Sequence, residues 1–399
     1  ESALEATPDS PATPVVEING GDVVAHNGFS ITSAGNTIRG MMIVDFPLNG
    51  IAIAATTAFS NTIAGNYIGT RDGLSDYGNN YAGVFIGLGA HDNLVGGDTP
   101  ADRNIILGNE LDGVIIHGEN TAGNVISGNY IGTDESGTAR IGNTLAGVRI
   151  YGSAHDNLVG GTNPASGNLI SGNHSDGVRI TGSNTMSNTV SANFIGLNAA
   201  GTSVMANYEA GVTIQDGAQY NLIGGDTQGE RNVIVGTSSG NMCSLCIIDD
   251  GTDNNTVMGN YIGTDASGTV GLRYDVDIYG IRISNGAQNN TIGPSNLISG
   301  HSYHGVFVIG NETINNTIIG NYIGTNADGI GDLGNQIDGI LIQTAHNTII
   351  GGTDSGEGNV ISGNDELGVH VTDARDVSII GNTIGTTPDA VSYTHLTLP

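Results

Sequence analysis

Gly128-Asn129-Tyr130-Ile131-Gly132-Thr133 returns, nearly unchanged, at Gly65–Thr70, Gly259–Thr264, Gly320–Thr325 and Gly381–Thr386, with a decayed copy at Ala192–Leu197. Measured on the asparagine (Asn66, Asn129, Asn193, Asn260, Asn321, Asn382), the intervals are 63, 64, 67, 61 and 61 residues. Such regularity marks a tandem array, in which each unit touches only its neighbours and the chain forms one elongated body.

Within each unit of about 63 residues a second phrase, Gly-Val-x-Ile, occurs twice, at Gly83, Gly113, Gly147, Gly177, Gly211, Gly280, Gly305, Gly339 and Gly368, with Gly50 earlier. The even coil reads Gly113-Val114-Ile115-Ile116, then Asn124-Val125-Ile126-Ser127-Gly128-Asn129, then Tyr130-Ile131-Gly132-Thr133 and a polar loop. The odd coil carries its loop between the second and third segments instead. Each segment has only two or three inward aliphatics, too few to bury a core alone, and no segment has helical periodicity. Stacked coils solve this: equivalent strands pair in parallel about 4.8 Å apart and the aliphatics form columns. The reading is an all-β, three-sided parallel β-helix of about eleven coils, roughly 50 Å long. Asn93, Asn124, Asn157, Asn188, Asn221, Asn255, Asn290, Asn316 and Asn347 fall at one corner, where asparagine tolerates the turn and its amide can bond its counterpart in the next coil.

Composition agrees. Glycine is 65 of 399 residues without a period of three and with only 9 prolines, so the glycines punctuate short strands and a collagen helix is excluded. The charge is −29, and all ten basic residues are Arg, which excludes nucleic acid and an anionic membrane surface as main partners and favours cations. No run is long enough to cross a membrane. Residues 1–16, rich in Pro, Ala, Ser and Thr, are expected to be a flexible leader; residues 17–386 form the single solenoid domain, and residues 387–399, out of phase with the repeat, look non-native. A natural chain continuing past that point would leave an uncapped strand edge here, open to edge-to-edge self-association.

The phrases NxIxGNYIGTDxSGT and GVxIxxGAxxNxIGG resemble the right-handed parallel β-helix repeats of the pectin-lyase-like superfamily, in particular its repeat-rich bacterial surface and secreted proteins. The resemblance implies a right-handed coil, as parallel crossovers favour, and a secreted or cell-surface location. For function it implies a range from lyases, hydrolases and epimerases to adhesins and passengers without chemistry.

With Val and Ile inward, the first outward row reads Phe85, Ile115, Arg149, Arg179, Thr213, Ile247, Arg282, Phe307, Leu341 and His370, and the second includes Gly87, His117, Tyr151, Thr181, Gln215 and Asp249. Arg149 and Arg179 would sit side by side, a repulsive arrangement unless carboxylates or an anionic ligand lie close. With His117 and Tyr151 they form the candidate carbohydrate patch. Alternatively, Arg stems simply cover sheet surface. Asp216, Asp249 and Asp250 fall in register on adjacent coils and are the candidate catalytic carboxylates of a polysaccharide hydrolase, although Asp-Gly is also ordinary turn chemistry. Asp134, Asp265 and Asp328 lie in Gly-containing loops that offer oxygen ligands to calcium but lack a full calcium-loop spacing; no cofactor is required by any other feature. Cys243-Ser244-Leu245-Cys246 replaces an anchor, and Cys246 is expected inward as a small buried side chain. The sequence therefore favours a non-catalytic stalk, adhesin or glycan-binding module with a polysaccharide or cell-surface glycan as partner, the alternative being a polysaccharide-modifying enzyme.

Overall fold

The computed structural model describes residues 14–236, 242–273 and 278–385; the leader up to residue 13 and the tail from residue 386 lie outside the described residues. The strands form three sheets in which every pairing is parallel. The anchor sheet holds twelve strands from Phe29–Ile31 to Val369–Thr372, the middle sheet twelve from Thr37–Arg39 to Ser378–Ile380, and the Tyr-Ile sheet thirteen from Val16–Asn19 to Thr383–Ile384. The chain is a right-handed, three-sided parallel β-helix of twelve full coils. The twelfth is the coil that opens at Phe29, which lacks the Gly-Val phrase. The first strand already includes Val16, the last residue of the expected leader.

Alternation explains the packing. In successive anchor strands Val84, Val114, Val148 and Val178 pair in one column and Ile86, Ile116, Ile150 and Ile180 in the next, all fully buried. One core cluster runs unbroken from Ile31 to Ile361, and each such side chain contributes about 1.5–3 kcal/mol by leaving water.

The corners are held by three ladders of side-chain amides, of which the sequence reading anticipated one. Between the anchor and middle sheets Asn61, Asn93, Asn124, Asn157, Asn188, Asn221, Asn255, Asn290 and Asn316 stack; each donates its backbone N–H and its Nδ2–H to Oδ1 of the next. Asn347 is not the continuation. It is exposed at φ 53°, and the buried ladder position is Thr348, one residue later. Asn254, Asn289 and Asn315 likewise precede the ladder and carry its left-handed turn, at φ 60°, 56° and 61°. A second ladder, including Asn66, Asn104, Asn129, Asn168, Asn193, Asn232 and Asn260, lies at the next corner, and a third, Asn79, Asn109, Asn143, Asn173 and Asn207, at the last.

The third ladder resumes through a different side chain. His301 gives its backbone N–H to Asn335 Oδ1 at 3.2 Å, and its Nδ1 lies 2.9 Å from the same oxygen. An amide oxygen only accepts, so Nδ1 carries the proton and Nε2 accepts from the Ser244 hydroxyl at 3.3 Å. Burial, aided by Arg273, lowers the His301 pKa from 6.5 to about 4 against the bond to Asn335.

The register around the cysteines differs by one residue from expectation. Leu245 and Ile247 point inward and Cys246 joins the outward row, pairing with Thr213 and Arg282. A one-residue shift exchanges the faces of a strand, so Ile248 rather than Asp249 follows Gln215 in the second row. Cys246 is bonded to Cys243 as a disulfide, under Ala210, Tyr279 and Ile248.

Replacing Asn157 by Leu would leave the amide of Asn124, Oδ1 of Asn188 and the carbonyl of Thr121 without their partners; a loss of about 1–3 kcal/mol is expected in chemical denaturation, whereas unchanged stability would mean a solvated corner. For His301 the sign follows from a folded pKa below the unfolded one. The neutral form contributes stability fully above pH 6.5, and about 3 kcal/mol of it is lost as pH falls from 6.5 to 4. His301→Asn, which restores the ladder residue, should flatten the pH dependence of unfolding in that window; parallel curves for the two proteins would refute this.

Candidate functional site

On the outer face of the anchor sheet the strands Val114–His117, Val148–Tyr151 and Val178–Thr181 run in register. Pairing places His117 beside Tyr151 and Arg149 beside Arg179, so the four expected carbohydrate residues are brought together. The His117 and Tyr151 rings are 4.3 Å apart, and the Arg149 guanidinium lies 4.7 Å from the Tyr151 centroid. Phe85 extends the aromatic row at 6.3 Å from His117. A Cβ at Gly87 would meet the Phe85 ring at 2.6 Å, so glycine there makes room for it. Burial, then the charge of Arg149, lowers the His117 pKa, and burial raises that of Tyr151. Both rings are therefore uncharged at neutral pH.

The anion demanded by the paired arginines is supplied from within. Asp112, whose side chain is 1% exposed, accepts from Arg149 Nη2 and from the Ala146 N–H. Asp176, equally buried, holds Arg179 and accepts from the Ala210 N–H and the Thr213 hydroxyl, while Glu209 takes the other side of the Arg179 fork. Burial pushes both aspartates up from the usual carboxylate range, and the guanidiniums pull against it. Two cations thus face three carboxyls, leaving no net positive charge to recruit a sugar carboxylate. What remains exposed is a neutral aromatic face.

These aspartates were missed in the sequence, although the signal was there: Asp-Gly precedes Val or Ile at Asp112, Asp176 and Asp338. At Asp338 the outward partners are histidines. Oδ2 lies 3.1 Å from His370 Nδ1, and Oδ1 accepts from the Leu367 N–H. Burial would raise Asp338, but His304, the Leu367 amide and His370 outweigh it and hold the carboxyl below its ordinary value. Tyr279, Tyr303, His304 and Phe307 pack there as a second aromatic group, with Tyr279 and Phe307 stacked at 4.9 Å.

The other candidates sit in turns. Asp216 and Asp249 have left-handed backbones, φ 54° and 77°, at the corner after the strand, and Asp250 is exposed beside them. Asp216 accepts from the Thr181 hydroxyl and the Gln215 amide, and Asp249 from the Asn285 amide. Asp134 caps its own loop, with Oδ1 accepting the Thr138 and Ala139 N–H groups and Oδ2 the Ser136 hydroxyl; Asp265 repeats this with Thr269, Val270 and Ser267. Burial alone would raise both carboxyls, but these donors lower them. Neutral Asn198 and Asn326 make the same two backbone contacts in their coils. The third member of the set is therefore Asn326, not Asp328, which occupies the position of Ser267. Among the described residues no group of three or more His, Cys, Asp or Glu could hold a metal.

No protein-family model matches the chain, and no curated protein matches its sequence. Among solved structures it is similar to a point mutant of the periplasmic alginate epimerase AlgG (14% identity, 93% of this chain and 86% of that chain, TM-score 0.43). It is also similar to the enzymatically active domain of bacteriophage CBA120 tailspike protein 2 (12%, 92% and 52%, TM-score 0.46) and to the Azotobacter vinelandii mannuronan C-5 epimerase AlgE4 A-module (12%, 93% and 91%, TM-score 0.32). No residue role is carried across at these identities. The chain is a three-sided parallel β-helix repeat protein.

A loop that a neutral Asn can close needs no ion. The melting temperature is therefore expected to rise with NaCl, since −29 charges on a rod repel one another, and to respond equally to calcium and magnesium at constant ionic strength. A shift specific to calcium, lost in Asp134→Asn with Asp265→Asn, would assign the loops to that ion.

Proposed function

We propose that this protein is a secreted or surface-displayed glycan-binding rod, a stalk or adhesin that performs no chemistry on its ligand. The observation that carries the reading is the His117–Tyr151 ring pair, set on consecutive strands with Arg149 against the Tyr151 face. Such a surface suits the C–H face of a pyranose, with the Tyr151 hydroxyl and the imidazole available to its hydroxyls. Because the arginines are neutralised by Asp112, Asp176 and Glu209, the patch favours an uncharged sugar. The Cys243–Cys246 disulfide accords with an oxidising exterior. Among the described residues no helix is long and apolar enough to cross a membrane. Self-association through an exposed strand edge belongs to the same reading.

A second reading, a polysaccharide-modifying enzyme, draws support from one observation: His117 is kept unprotonated by burial and Arg149, as a proton acceptor requires. The Asp216, Asp249 and Asp250 set supports it less, since those residues cap turns. Glycan-array binding by the intact protein tests the first reading. Tyr151→Ala is expected to weaken a neutral-glycan hit about tenfold or more, and Tyr151→Phe to retain most of it. Absence of any hit sensitive to Tyr151 removes this patch as a sugar site. Release of reducing ends or of ultraviolet-absorbing unsaturated uronate, abolished by His117→Ala, would favour the enzyme.

A further inference from the structure

A different face of the rod carries a groove of about 590 Å³ along the outside of the Tyr-Ile sheet. Its construction follows from the two-coil repeat. Loops of the even coils stack directly on one another across the intervening coils, the Ala199 N–H bonding to the Gly137 carbonyl and that of Ala266 to Gly201, each at 2.9 Å. They make one wall. The opposite wall is formed by the single-turn 3-10 segments of the odd coils, Pro100–Asp102, Pro164–Ser166 and Gln228–Glu230.

Directly after these segments come three equivalent residues, each preceding a ladder asparagine: Arg103, Gly167 and Arg231. Two residues further on, Ile105, Leu169 and Val233 pair with Tyr130, Phe194 and Tyr261 of the next strands. Arg103 covers the Tyr130 ring at 4.0 Å and Arg231 the Tyr261 ring at 3.9 Å. At the middle position there is no side chain to cover Phe194. A Cβ on Gly167 would meet the Ala192 carbonyl oxygen at 2.0 Å, so close backbone approach enforces the gap. The result is an aromatic platform in mid-groove with a guanidinium on either side of it along the axis. Four strand steps separate Arg103 from Arg231, roughly 19 Å.

Of the ten arginines, Arg39, Arg71, Arg149 and Arg179 are ion-paired to carboxylates, and Arg140 and Arg273 donate to backbone carbonyls. Neither Arg103 nor Arg231 has a carboxylate partner among the described residues. Arg103 makes one long contact from Nε to the Gly128 carbonyl, and the buried Nε of Arg231 has no acceptor. Asp98 lines one end of the groove without pairing to either. Unpaired, stacked guanidiniums in a chain of net charge −29 offer planar forks suited to carboxylates.

We propose that this groove is a second glycan site, separate from the anchor-sheet patch, and that its ligand is a linear oligosaccharide of hexuronate units. One pyranose ring rests on Phe194, and carboxylates of units on either side engage Arg103 and Arg231. The two sites share no residue, so either proposal can fail alone.

Isothermal titration calorimetry with an oligohexuronate, the same oligomer after carboxyl reduction, and a sulfated neutral oligomer of equal length tests this. The hexuronate is expected to bind, with affinity falling as salt rises, and the reduced oligomer to bind at least about tenfold more weakly. Arg103→Gln with Arg231→Gln should cost about tenfold per arginine, and Phe194→Leu a similar amount. Phe194→Tyr, the residue found at positions 130 and 261, should preserve binding and the melting temperature and so controls for misfolding. Tyr151→Ala should leave this binding unchanged. The proposal is overturned if no hexuronate binds, if the reduced oligomer binds equally well, if the sulfated oligomer binds more tightly than the hexuronate, or if the double arginine variant keeps full affinity at an unchanged melting temperature.

Discussion

Everything in this structure depends on the hydrogen bond from one asparagine amide to the same amide a coil later. A strand of two residues, such as Tyr130–Ile131, cannot define a direction or a register by itself. Between buried ladder residues on either side, its ends are fixed by two bonds per corner: Asn129 gives both its backbone N–H and Nδ2–H to Asn168. Unmet amides in a dry interior are costly. A coil in the wrong register would leave whole columns unmet, so the ladders select the stacking that the aliphatic columns then fill.

This constraint also explains where chemistry can reside. Corners and interior are committed, and loops are free only where they leave the repeat. Outward strand positions are the remaining variable surface, and they vary by coil: Phe85, Ile115, Arg149 and Arg179 follow one another in a single row. Sites on such a rod are therefore linear and assembled across coils. The buried aspartates show the same logic turned inward, each set before an anchor glycine and reaching a partner in its own or a neighbouring coil.

The fold was legible because its signal repeats. Periodic Gly-Val-x-Ile and Asn fixed strands, faces and one ladder from the sequence alone, and the patch of His117, Arg149, Tyr151 and Arg179 followed by simple alternation. Reading went astray where the repeat is broken. At Cys243–Cys246 no glycine marks the phase, and a one-residue slip moved Asp249 onto the strand face. At Asn347 two candidate polar residues adjoin, and only burial tells that Thr348 holds the corner. The Tyr-Ile groove was invisible for another reason. Its residues, Arg103 and Phe194 for instance, are separated by nearly a whole repeat and a half, and what unites them is the absent side chain at Gly167.

The ladders have one further property. In all three columns the amides donate in the same sense to one another, from each coil toward the next, whereas backbone bonds between coils run both ways, from the Val114 N–H to the Gly147 carbonyl and from the Val125 N–H to the Asn93 carbonyl. The amide columns therefore have a direction, with Oδ1 acceptors facing one end of the stack and backbone N–H and Nδ2–H donors facing the other. Continuing these columns from one molecule to another takes head-to-tail contact, a heterologous arrangement that does not close and whose product is a filament rather than a dimer.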